Sequence, residues 1–281
     1  MYNSASYNSA LYGGTALAGA VASSDVFQYD DYGLQNSSII VTNSDHATPP
    51  SRDFSTYRVP RNNGRIISGN FFDQKVITLE GYLKAASASD FETLLDTFKK
   101  RLAAKDGILQ ITEANGTVKR WTANLTNPEK LLSQRRGWMV DYCPFKAEFT
   151  CVEPFGHDED YTVAYLGGQT ASTFNQTITN EGNATADPVI FLQFTAATAV
   201  TQIDIQNVTT GAQMQLSGLT VSAGDIFELN TETKEVLQNG VAIDYDGSFI
   251  ELDPDDNNIQ VDITSTSHTV GVTYKHKNAY L

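Results

Sequence analysis

Near its C-terminus the chain reads FIELDPDDNNIQVDI, which packs four acidic residues and two asparagines into Glu251–Asn258. Side chains of this kind can ligate calcium, form a carboxylate pair for hydrolysis, or shape a sharp turn. An EF-hand loop needs Asp or Asn at its first, third and fifth places, and Asp253, Asp255 and Asn257 supply them. It then needs Gly at the sixth place and Glu at the twelfth, where this chain has Asn258 and Thr264. That motif also sits between helices, whereas these flanks alternate like strands. Pro254 presets φ for a turn, and Asp and Asn tolerate the left-handed region. The stretch therefore reads as a turn between strands, with no metal ligands assigned.

Hydrolysis by paired carboxylates requires two of them to converge in a cleft with their pKa values pushed apart. Residues 156–281 hold 17 acidic side chains, so proximity alone says nothing about catalysis. The four histidines, His46, His157, His268 and His276, are scattered. No HExxH, Cys-x-x-Cys, Gly-x-Ser-x-Gly or phosphate loop occurs. No catalytic, cofactor-binding or metal residue is assigned, and the chain is expected not to be an enzyme. Cys143 and Cys151 lie on one expected strand, about 26 Å apart at roughly 3.3 Å per residue, too far to bridge each other. They read as reduced core thiols, in keeping with folding in a cytoplasm.

The elements that carry these residues are mostly strands. A chain of 281 residues suits two domains, each with its own core. Abundant Thr, Asn, Val, Ile, Phe and Tyr favour half-buried sheet surfaces. Residues 1–155 hold 16 basic and 16 acidic side chains, and 156–281 hold 3 and 17, so the second half supplies the whole net charge of −14. An acidic half of this kind repels nucleic acid and acidic membranes and stays solvated. No apolar run approaches the roughly 20 residues that cross a bilayer. The opening segment, with its repeated Tyr2-Asn3-Ser4-Ala5 and Tyr7-Asn8-Ser9-Ala10, lacks a basic flank and a long apolar core, and reads as a flexible arm over 1–24.

Within 25–156 the clearest unit is strand, helix, strand. Lys75 to Leu83 alternates, with an imperfection at Gly81. Ser89 with Glu92 forms a capping box that opens a helix over about 89–105. Phe91, Leu94, Leu95, Phe98 and Leu102 make one apolar stripe. Asp106-Gly107 ends the helix. Ile108–Thr112 and Thr117–Leu125 form a hairpin through Asn115-Gly116, whose positive φ angles suit a tight turn. Trp138–Tyr142 and Phe145–Val152 continue the sheet, with Pro144 at an edge or bulge. Upstream, HATPPSRDFSTYRVPRNNGRIISG reads as a long turn-rich loop carrying Arg52, Arg58, Arg61 and Arg65. Arg and Tyr together fit a protein interface better than nucleic acid, because Asp45 and Asp53 dilute the charge and no nucleic-acid motif accompanies them. From 157 to 281, short alternating runs recur near every ten residues between turn signals, as in an antiparallel β-sandwich without helices.

These stretches resemble siphophage distal tail proteins. KVITLEGYLKAASASDFETLLDTFKKRLAAKDGILQI and WMVDYCPFKAEFTCVEPFG look like that family's ring-forming half. ITNEGNATADPVI, ELNTETKEVLQNG and LDPDDNNIQV look like the opening strand, hairpin and turn of its galectin-like sandwich. Asn230 and Asp255 stand where the family pattern has Asp and Gly, and the N-terminal arm is outside the pattern. The resemblance implies a mainly β fold: a ring-forming β domain with one helix, followed by a galectin-like antiparallel sandwich. It implies a homo-hexamer at the end of a long non-contractile tail, between the tail tube protein and the tail-tip hub protein. Receptor-binding proteins or fibres would attach outside, and DNA would pass through the lumen without specific binding. The implied location is the virion tail tip, assembled in the host cytoplasm, without cofactor or membrane. The competing readings are a carbohydrate-binding adhesin, with Tyr245 and Phe249 as its candidate platform, and a tail-associated hydrolase, which would need a pair of buried carboxylates lining a cleft.

Overall fold

The computed structural model describes residues 24–58, 65–128, 132 and 142–281. Two compact units follow one another, Met1–Glu153 and Pro154–Leu281.

The first unit contains β1 (Val26–Tyr29), β2 (Tyr32–Gly33), β3 (Ile39–Ser44), β4 (Arg52–Arg58), β5 (Arg65–Phe72), β6 (Lys75–Lys84), α1 (Ala88–Leu102), β7 (Gly107–Thr112), β8 (Val118–Leu125) and β9 (Tyr142–Cys151). Its main sheet runs β2-β1-β7-β8-β9-β6-β3, with antiparallel neighbours. Alternation decides which face is buried. Ile77, Leu79 and Leu83 of β6 and Cys143, Phe145, Ala147, Phe149 and Cys151 of β9 all enter one core. Phe91, Leu95, Phe98 and Leu102 of α1 close it, with the Phe98 and Phe145 rings 5.0 Å apart. Gly81 is the break in the β6 pattern because a Cβ there would lie 2.0 Å from the Ile40 carbonyl oxygen. Bare backbone lets β3 approach beside its bulge at Val41–Asn43.

Several local expectations need correction. The helix cap is Ser87, not Ser89: its Oγ accepts from the Asp90 amide at 3.2 Å and donates to the Asp90 carboxylate at 2.7 Å. Two serines lie within one turn, and spacing alone cannot say which adopts the extended cap conformation. The helix ends at Leu102, short of Asp106-Gly107. The β7–β8 connection pairs Thr112 with Val118, so it is a wider loop in which Gly116, and not Asn115, has positive φ. The Arg-bearing segment is no loop. It is a two-stranded ribbon, β4 against β5, from Arg52↔Phe72 to Arg58↔Arg65. The strand expected over Trp138–Tyr142 and the arm over 1–24 fall outside the described residues, apart from their last positions.

The second unit contains β10 (Gly156–His157), β11 (Thr162–Gln169), β12 (Thr173–Asn180), β13 (Val189–Thr198), β14 (Gln202–Asn207), β15 (Gln213–Ser217), β16 (Ile226–Asn230), β17 (Glu235–Gln238), β18 (Val241–Ala242), β19 (Asp246–Gly247), β20 (Asp255–Thr264), β21 (Ser267–His276) and β22 (Ala279–Tyr280). A six-stranded sheet, β11-β21-β13-β16-β17-β18, and a five-stranded sheet, β12-β20-β14-β15-β19, share one apolar core. β10 pairs with β22. Strict alternation in β20 and β21 sends Ile259, Val261 and Ile263, and Val270, Val272 and Tyr274, into that core. Asn239 and Gly240 both have positive φ between Gln238 and Val241, the two-residue turn that Asn-Gly favours. The molecule is mainly β with one helix among the described residues, as expected.

Candidate functional site

The acidic stretch is built around one buried amide. Asn257 is 0% exposed. Its Nδ2 donates to the carbonyls of Asp253 at 2.7 Å and Asp255 at 3.0 Å, and its Oδ1 accepts from the Asp253 amide at 3.0 Å. Asn207 on β14, also 0% exposed, donates to the same Oδ1 at 2.9 Å and to the Glu251 carbonyl at 2.7 Å. All hydrogen-bonding capacity of the Asn257 side chain is thereby used. Asp255, where the family pattern has Gly, takes φ +72°. A third buried amide, Asn180, holds the neighbouring strand: it donates to the carbonyls of Ala184 and Leu252 and accepts from Gly182. A Cβ at Gly182 would lie 2.0 Å from the Ala279 carbonyl oxygen, which accounts for the Asn-x-Gly pair.

The carboxylates of the stretch turn outward and are held separately. Asp256 accepts from Thr179 at 2.6 Å, Asp253 from Thr185 at 3.4 Å, and Glu251 faces the Lys234 ammonium at 3.8 Å. Among the described residues no group of three or more His, Cys, Asp and Glu side chains is placed to hold a metal, and no Asp or Glu is buried. The four histidines do not meet. His268 and His276 each hydrogen-bond a backbone carbonyl, of Ala171 and Thr179, while His46 belongs to the first unit.

His46 anchors a polar cluster that sequence reasoning missed. Its ring lies 3.8 Å from Asp25 and 3.9 Å from Glu113, with Ser44 Oγ at 2.9 Å on Nδ1. Burial holds its pKa below the ordinary value, and the two carboxylates only partly offset this. Lys119 meets Glu113 at 2.6 Å. Lys75 is buried with its ammonium over the Trp121 ring at 5.1 Å, its pKa lowered by desolvation. Burial pushes the neighbouring Cys151 thiol up to about 12, so it is no nucleophile at neutral pH. Both cysteines are buried on β9 and neither is in a disulfide.

Of the four arginines singled out, Arg52 and Arg58 lie exposed on β4, Arg65 opens β5 opposite Arg58, and Arg61 falls outside the described residues. Arg52 stacks over Phe72 at 4.4 Å. Every residue of β4 is exposed, and so are Phe54, Tyr57, Ile67 and Phe71. Tyr245 and Phe249 are 5.1 Å apart, but their rings cross at 65°, so they present no shared flat surface. Phe249 packs partly against the core beneath Lys234.

The described residues thus combine outward carboxylates, buried thiols and an exposed ribbon. Residues 181–278 match the family described as siphovirus-type tail component, C-terminal domain. The resemblance read from the sequence is thereby borne out. The crystal structure of the Dit protein (gp 19.1) of phage SPP1, described as a paradigm of hub adsorption apparatus in phages infecting Gram-positive bacteria, is similar over 90% of this chain and 98% of that one. Its TM-score is 0.64 at 13% identity, so the two share a fold. A chain of the phage p2 baseplate in its activated conformation with Sr aligns over 90% of this chain and 97% of that one at 8% identity, with a TM-score of 0.43. No curated protein matches the chain. Among the described residues no helix is long and apolar enough to cross a membrane.

Proposed function

We propose that this chain is a distal tail protein. Six copies form a ring at the end of a long non-contractile phage tail and join the tail tube protein to the tail-tip hub protein. The second unit faces outward and carries receptor-binding proteins or fibres. DNA passes through the lumen without sequence-specific contact, and assembly precedes release from the host cytoplasm. The role is geometric and involves no catalysis.

The observation that carries this reading is the β4–β5 ribbon. A lone two-stranded ribbon is marginal in water, and this one exposes Phe54, Tyr57, Ile67 and Phe71 together with Arg52 and Arg58. Aromatic and Arg side chains on an extended arm suit contact with a neighbouring subunit. The equal numbers of acidic and basic residues over 1–155 support repeated self-contact, since a ring of strongly like-charged wedges would repel itself. Native mass spectrometry and electron microscopy of the purified chain test the ring, with a six-subunit species expected. Replacing Arg52, Arg58, Arg61 and Arg65 by Glu is expected to dissociate it, and an unchanged hexamer would remove the ribbon from the interface.

A further inference from the structure

The two sheets of the second unit turn different chemistry outward. Across the five-stranded sheet one row runs Thr173–Asp262–Asp204–Gln215–Asp246. Its polar groups serve one another: Gln202 and Gln215 donate to Asp204 at 2.6 and 2.7 Å, and Gln260 to Asp262 at 2.7 Å. That face is suited to water. Across the six-stranded sheet the corresponding row is Tyr165–Thr273–Phe191–Glu228–Leu237–Ala242. Tyr165 is 69% exposed, Val163 beside it 56% and Ile226 41%.

Tyr165 is held in place before anything binds. A Cβ at Gly167 would lie 2.9 Å from its ring, and one at Gly271 3.0 Å from its hydroxyl oxygen, so the ring rests on bare backbone of two strands. An aromatic side chain fixed in this way loses little entropy on association, as an interface anchor requires. Charge selects the occupant. Residues 157–281 contain three lysines, and two of them flank this face: Lys275 lies over Phe191 and Lys277 over Tyr161, each at 4.9 Å. Glu228 stands in the same row and Glu232 accepts from Tyr161 at 3.2 Å, yet among the described residues neither of these two ammoniums is ion-paired, so a partner's carboxylates are attracted at these two points. Val163 and Ile226 offer a sugar neither stacking nor hydrogen bonds, whereas a protein surface buries them.

We infer that the outer face of β11, β21 and β13 docks a different tail protein, one that presents an apolar strip flanked by carboxylates. This rests on the tail-tip reading above and assigns the surface through which the second unit carries its cargo.

The test places the photo-reactive residue benzoylphenylalanine at position 165 of the full chain, assembles it into phage tails and identifies the cross-linked products by mass spectrometry. A cross-link to another tail protein is expected. Its yield should fall at least tenfold in the Lys275→Glu/Lys277→Glu variant and also in Val163→Asp, both checked for an unchanged unfolding temperature. A cross-link only to a second copy of this chain, only to a host glycan, or to nothing overturns the docking surface. So does a yield indifferent to both variants. The two readings fail separately: a chain absent from tails overturns the tail-tip assignment on which this one rests, whereas a chain present in tails without the cross-link overturns the docking surface alone.

Discussion

Asn207 donates a hydrogen bond to Asn257 at 2.9 Å, and both side chains are fully buried. This pair ties β14 to the start of β20, and it is why an acidic, polar stretch adopts one shape. Replacing Asn257 with Ala would leave the Asp253 amide and two carbonyls without partners. Each buried unsatisfied group costs about 1–3 kcal/mol, so a loss near 3 kcal/mol is expected in urea unfolding of the full chain. Because the carboxylates point apart, millimolar calcium should leave the unfolding temperature of the native protein unchanged.

Asp255 sits at φ +72°. The left-handed region is strained for a residue with a Cβ and free of that strain for Gly. Asp255→Gly should stabilise the protein by about 1 kcal/mol, read as a shift of the denaturant midpoint at unchanged slope.

The two serines at the start of the helix separate cap from bystander. Ser87→Ala removes the bond to the Asp90 amide and should cost about 1 kcal/mol. Ser89→Ala, inside the first turn, should be neutral or slightly stabilising, since Ala has the higher helix propensity. Equal effects would place the cap elsewhere.

His46 and His276 are both held below the ordinary histidine value, in each case chiefly by burial. The unfolded chain therefore takes up these protons first as pH falls. Their contribution is fully present above about pH 6.5 and is lost as pH drops through the lower folded values. Unfolding measured between pH 7.5 and 5 should show stability declining, with a shallower decline in His46→Gln. A stability that rises over that range would reverse the assigned direction.

Much of this was legible because burial leaves a period. The alternation of β20 and β21 and the stripe from Phe91 to Leu102 follow directly from sequence, since one face of each meets a core. The ribbon left no such mark: with every residue of β4 exposed, no apolar period distinguishes it from a loop. Nothing in the sequence marks Asn180, Asn207 and Asn257 as buried, because asparagine usually lies at the surface and their burial depends on carbonyls supplied by distant strands. Tyr165 was equally opaque, since an aromatic residue in a sandwich strand is expected to fill the core. The one clue was the glycine pair it covers, Gly167 and Gly271, which are far apart in sequence.

The few lysines of the second unit bear on its resistance to proteolysis. From Pro154 onward the chain has no arginine and only Lys234, Lys275 and Lys277. Each ammonium leans on an aromatic ring, and Lys275 lies within a paired strand. Digestive enzymes of the trypsin type cut after basic residues in extended, accessible backbone, and here they meet a single exposed bend, at Lys234. Limited trypsin digestion should accordingly leave this unit whole apart from a cut after Lys234.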